Sequence, residues 1–83
     1  MTNKLYKFSA EWCSGCKQLS NTLKSVGDLS VDLIEVDIDA SPEMAKQYNI
    51  RSLPTLVLVD DMGKEVKRVI GNVTTNKLQE FLK

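Results

Sequence analysis

Phe8-Ser9-Ala10-Glu11-Trp12-Cys13-Ser14-Gly15-Cys16-Lys17 holds both cysteines and the one tryptophan of an 83-residue chain. It lies where a strand-like run gives way to a helix-like one, so its reading decides fold and function together. Two cysteines separated by two residues admit three chemistries: ligation of a metal, a structural staple, or exchange with another protein's disulfide. A structural zinc site takes four nitrogen or sulfur ligands. The chain has no histidine and no third cysteine, so a complete site within one chain is excluded and a metal would have to be shared between chains. As a staple, so short a loop contributes only about 2 kcal/mol in the chain-entropy model, less than half of what a loop of about 100 residues gives. Redox exchange is the reading that the spacing favours.

Outward from this stretch, the pattern alternates strand and helix. Lys4 to Ser9 carries Leu5, Tyr6 and Phe8, a short strand that Lys7 interrupts. Cys16, Leu19, Leu23 and Val26 recur at three- and four-residue steps, one apolar stripe on a helix that starts near Ser14 and stops near Gly27. Val31 to Ile38 sets apolar side chains on both faces and is read as a central strand covered on both sides. Ser41-Pro42-Glu43 combines a capping side chain, a proline for the first helical position and an early acid, predicting a short helix with Met44, Ala45 and Tyr48 on its inner face. Thr55 to Val59 is a buried strand beginning just past Pro54. The turn signal Asp60-Asp61-Met62-Gly63 then joins it to Glu65 to Ile70 as an antiparallel hairpin. Thr74 or Thr75 caps a closing helix that buries Leu78, Phe81 and Leu82 and turns Lys77, Glu80 and Lys83 to water. The expected class is α/β, ordered β-α-β-α-β-β-α, with a four-stranded mixed sheet, three helices and a parallel first crossover.

Composition limits the partners. At 42% hydrophobic content the chain suits one small domain over residues 1–83. Eleven basic and eleven acidic residues leave a formal net charge of zero with no long run of either sign, so no nucleic acid is expected as a partner. Met1 to Lys7 holds no apolar leader and no stretch is long enough to span a bilayer. No membrane association is expected, and the setting is read as cytoplasmic. In a reducing cytosol such a cysteine pair is catalytic or redox-sensing rather than permanently oxidised.

Trp12-Cys13-Ser14-Gly15-Cys16-Lys17 after a strand, with Leu53-Pro54-Thr55 opening a later one, resembles the thioredoxin family. Val36-Asp37-Ile38-Asp39, Tyr48-Asn49-Ile50-Arg51, Met62-Gly63-Lys64, Ile70-Gly71 and Leu78-Gln79-Glu80-Phe81-Leu82 fall in the same order as similar residues of that family. The resemblance implies the trimmed, minimal form of the thioredoxin fold, without the family's extra amino-terminal strand and helix. Ser14-Gly15 departs from the family's usual Gly-Pro, which bears on redox potential rather than on the reaction.

The chemistry follows from position. Cys13, at or just before a helix start, faces unpaired N–H groups and the positive end of the helix dipole, which favour its thiolate and make it the nucleophile. Cys16, a turn further in on the apolar stripe, resolves the mixed disulfide. Ser14 offers a hydroxyl that can cap the helix, and Gly15 permits close approach of a partner's backbone. Trp12 is read as a platform at the groove's border. The resemblance further implies a cis bond at Pro54 facing the cysteines, Leu53 with backbone free to pair a substrate strand, and Gly71 with Asn72 lining the same groove.

Lys7 and Glu35 each interrupt an apolar strand, whereas thioredoxins usually carry a buried aspartate at the first position and often a lysine at the second. The two charges look exchanged, and adjacent parallel strands would let them pair beneath the cysteine helix. Glu35 is then the candidate general base for Cys16. The favoured function is a monomeric protein-disulfide reductase without cofactor or metal, acting on disulfide-containing proteins and recharged by a thioredoxin-reductase-type donor. A glutathione-coupled, glutaredoxin-like reductase is the alternative. Against it, such relatives usually carry a basic residue at Ala10 and Gly-Gly followed closely by aspartate around Ile70 to Val73. A thioredoxin-fold docking module is the third reading, and its binding would survive loss of both thiols.

Overall fold

The computed structural model describes residues 3–27, 29 and 31–82. Lys83, assigned above to the wet face of the last helix, lies outside them. The elements run β1 (Lys4–Ser9), α1 (Ser14–Val26), β2 (Asp32–Asp37), α2 (Pro42–Gln47), β3 (Thr55–Val59), β4 (Glu65–Ile70) and α3 (Thr75–Phe81). The strands form one mixed sheet in the order β2-β1-β3-β4. β1 lies parallel to β2, with Lys7 opposite Glu35, and antiparallel to β3, which pairs antiparallel with β4.

The alternation along β1 builds the two faces, because successive side chains point to opposite sides of a strand. Leu5 joins Leu56 and Leu58 of β3 under Leu19 and Leu23 of α1 and Leu78 of α3, and all six are buried. Phe8 instead joins Val36, Tyr48, Val57 and Val59 on the face that carries α2, where the rings of Tyr6, Phe8 and Tyr48 lie 5.7 to 6.1 Å apart. β3 is the strand covered on both sides, with all five residues buried.

The expected central position of β2 is corrected: β2 forms an edge of the sheet, and only Val36 in it is fully buried. The apolar stripe of α1 packs over β1 and β3, so β2's residues on that face, Leu33 and Glu35, stay exposed. Two caps also differ from expectation. Cys13 rather than Ser14 caps α1, and Ser41 precedes Pro42 without a side-chain hydrogen bond to α2. Thr74 caps α3 as read, its hydroxyl accepting from Lys77 N–H.

The loop after α2 is fixed to β4 by Arg68. Its Nη2 donates to Tyr48 O at 2.6 Å and to Glu65 Oε1 at 2.7 Å, and its Nε donates to Glu65 Oε2 at 2.7 Å. These hydrogen bonds hold the Glu65 carboxyl below its ordinary value of 4.5, against the opposing effect of partial burial. The native carboxylate therefore keeps its charge to lower pH than the unfolded one, so the pair stabilises the fold above about 4.5 and loses that effect as pH falls through the lowered native value. Urea unfolding of the parent chain and Glu65→Gln across pH is expected to show a stability difference that is largest at neutral pH and closes in acid. A difference independent of pH would exclude this ionised contact.

Candidate functional site

Cys13 stands one residue before α1, after the turn that follows β1, and this position makes its side chain the helix cap. With φ −95° and ψ 105°, its Sγ accepts the Cys16 N–H at 3.2 Å, one of the donors that a helix start leaves without a backbone partner. Its own N–H donates to Ala10 O at 3.1 Å and closes the turn out of the strand. Cys13 and Cys16 are joined as a disulfide, with Cα atoms 5.3 Å apart. Both are buried, Cys16 at 2% exposure more deeply than Cys13 at 8%, and they pack with Ala10, Ile38 and Leu53.

The loops before β3 and after β4 meet the pair. The Leu53–Pro54 peptide is cis, as the resemblance implied, and the Pro54 carbonyl accepts from Gly71 N–H at 2.8 Å. Gly71 takes φ +86°, a conformation open to glycine at little steric cost. At Gly15 a Cβ would come within 3.2 Å of Asn72 Nδ2 and 3.5 Å of Pro54 Cδ. The missing side chain at position 15 thus makes room for Asn72, whose amide donates to Gln18 Oε1 on α1 at 3.2 Å. Gly15, Pro54, Gly71 and Asn72 lie together, and what approaches Gly15 here is the chain's own loop.

A groove of about 240 Å³ runs beside Cys13, lined by Trp12, Ile38, Ala45, Ile50 and Leu53 among others. Trp12 is 69% exposed, and its indole Nε1 donates to Asp39 Oδ2 at 3.0 Å, which fixes a large apolar plate at the groove's edge. Asp39 was not singled out from sequence. Its signal lay in Val36-Asp37-Ile38-Asp39, where a second acid directly follows the strand's last apolar residue.

Lys7 and Glu35 pair across β1 and β2, Nζ to Oε1 at 2.7 Å. The pair is asymmetric: the lysine side chain is 3% exposed and the glutamate 63%. Lys7 Nζ also donates to Ser20 Oγ on α1 at 2.5 Å, and Ser20 Oγ donates to Cys16 O at 3.2 Å. The sequence reading missed Ser20, although it stands four residues after Cys16 and so on the same helix face. Glu35 further lines an open depression with Ser9, Glu11 and Asp37. Among the described residues no group of acidic or sulfur side chains is arranged to hold a metal ion.

The family model described as thioredoxin matches residues 2–83. A thioredoxin of Chlamydia trachomatis is 48% identical over 69 residues, covering 81% of this chain and 67% of that protein. A thioredoxin of Mycoplasmoides gallisepticum is 37% identical over 86 residues, covering 99% and 85%. In the match to thioredoxin H2 of Arabidopsis thaliana, 39% identical, this chain spans 55% of the relative's length. Among solved structures, an N21Q mutant thioredoxin from Halobacterium salinarum superposes with a TM-score of 0.86 at 28% identity, over 96% of this chain and 71% of that one. The thioredoxin of Fasciola hepatica does so at 0.83 and 31%, over 98% and 78%.

The burial asymmetry of the ion pair sets an energetic expectation. Glu35→Gln leaves a buried ammonium without its counter-charge and is expected to cost about 1–3 kcal/mol. Lys7→Met fills the slot with an apolar stem and releases Glu35 to water, at an expected cost below about 1 kcal/mol. In urea unfolding the double variant should show a coupling of about 0.5 kcal/mol or more, and additive effects would dissolve the pair.

Proposed function

Since the chain belongs to the thioredoxin family and carries its cysteine pair at the C-x-x-C spacing, we propose that it works as a protein thiol–disulfide oxidoreductase in the reducing direction. The observation that carries this reading is the Cys13 sulfur at the start of α1, accepting the Cys16 N–H at 3.2 Å. A donor and a helix dipole aimed at that sulfur favour its anion, which is the attacking species. In the reduced protein the Cys13 thiolate attacks a substrate disulfide, forming a mixed disulfide and releasing one substrate thiolate. Cys16, after losing its proton, attacks Cys13 Sγ, releases the second substrate thiol and closes the Cys13–Cys16 bond. Two electrons pass from the dithiol to the substrate.

The groove beside Cys13 receives the substrate segment, with Trp12 and Leu53 at its walls, Ser14, Gly15 and Pro54 around the sulfurs, and Gly71 with Asn72 on the opposite side. Glu35 is the proposed acceptor of the Cys16 proton, and Lys7 Nζ holds its carboxylate at 2.7 Å. A thioredoxin-reductase-type protein returns the electrons, the chain acts as a monomer, and the cytoplasm is the setting in which the dithiol form persists.

Insulin reduction tests the reading, with a thioredoxin reductase as the electron source in one arm and glutathione alone in the other. The chain should turn over with the reductase and only slowly with glutathione. Cys13→Ser should abolish turnover, and Cys16→Ser should accumulate a mixed disulfide on Cys13 that mass spectrometry detects. Efficient turnover with glutathione alone would favour the glutaredoxin-like alternative, and activity retained in Cys13→Ser would overturn the assignment.

A further inference from the structure

Resting on the dithiol reading above, we propose that Ser20, polarised by Lys7, is a positioning residue for Cys16 in the second half of the exchange. Cys16 is held at both ends of its backbone. Its N–H donates to Cys13 Sγ at 3.2 Å, and its carbonyl accepts from Ser20 Oγ at 3.2 Å. In a regular helix that carbonyl pairs with the N–H four residues on, so the hydroxyl is an additional donor to it. The hydroxyl's own oxygen accepts from the Lys7 ammonium at 2.5 Å, which strengthens its donation.

This contact ties the first turns of α1 to β1 from beneath at the resolving cysteine. In the mixed disulfide no covalent bond joins Cys13 to Cys16, and Cys16 has to reach Cys13 Sγ to close one. A backbone that cannot rotate away keeps the attacking sulfur within reach, and small misplacements of a reacting group are costly in rate. Lys7 and Ser20 touch neither substrate nor sulfur, so their effect falls on the step in which Cys16 acts.

The two steps separate with 5,5′-dithiobis(2-nitrobenzoate) added at one equivalent to the reduced protein. Attack by Cys13 releases one thionitrobenzoate and leaves the other on Cys13 as a mixed disulfide. Attack by Cys16 releases the second and closes the protein disulfide, and both appear as absorbance. Ser20→Ala is expected to slow the second release about three- to tenfold while the first stays within about twofold, with urea unfolding showing a folded protein. Ser20→Thr, which keeps the hydroxyl, should recover the second rate. The proposal is overturned if Ser20→Ala resolves at the parent rate, if both phases slow equally, or if Ser20→Thr behaves as alanine does. A parent chain that releases only one equivalent would overturn instead the dithiol reading on which the proposal rests.

Discussion

The Cys16 N–H aimed at Cys13 Sγ is the contact around which the molecule is arranged. A helix start leaves several N–H groups without partners, and here a sulfur takes the place usually given to a serine, threonine or aspartate oxygen. The same geometry therefore serves two ends. It begins α1 at the correct residue, and it puts a polarisable atom that can carry negative charge where the helix dipole is most positive. For this to work the turn from Ala10 to Cys13 must deliver Cys13 to the helix start, and the core must hold β1 and α1 in register. Leu5 below Leu19 and Leu23 does so, while Phe8 against Tyr48 and Val36 fixes β1 from the opposite face of the sheet.

The second constraint is the lysine at the centre of β1. A charge at this depth is tolerated only with partners, and the fold supplies two from different elements, Glu35 on β2 and Ser20 on α1. The position of β2 at the sheet's edge matters here. If β2 were central, Glu35 would be enclosed as well and the desolvation of both ions would weigh against the pair. At the edge, the carboxylate reaches water while its oxygen still meets Lys7. The site thus takes a buried positive charge at modest cost and passes its orientation to Cys16 through one hydroxyl.

Much of this was legible in the chain. Element order and type followed from apolar periodicity and from Gly27, Pro42, Pro54 and the Asp60–Gly63 turn. The pairing of Lys7 with Glu35 followed from two charges interrupting adjacent strands. Sheet position was misread for β2 because Leu33, Ile34, Val36 and Ile38 carry apolar groups on both faces whether or not a helix covers them, and only the placement of α1 over β1 and β3 decides. Capping by Cys13 instead of Ser14 turns on a one-residue shift of the helix start, below what periodicity resolves. Ser20 and Asp39 escaped notice because each acts through a partner distant in sequence. Ser20 is of use only once Lys7 lies below it, and Asp39 only once Trp12 folds over it.

The account rests on unequal thiols: Cys13 at the helix start as the less deeply buried end of the pair, Cys16 enclosed on the apolar stripe. The most direct measurement is alkylation of the reduced protein by iodoacetamide at neutral pH, stopped at partial reaction, with the modified cysteine located by peptide mass spectrometry. The account predicts label on Cys13 and almost none on Cys16 while the chain stays folded, and equal labelling once urea unfolds it. Equal labelling in the folded state, or label on Cys16 first, would contradict it.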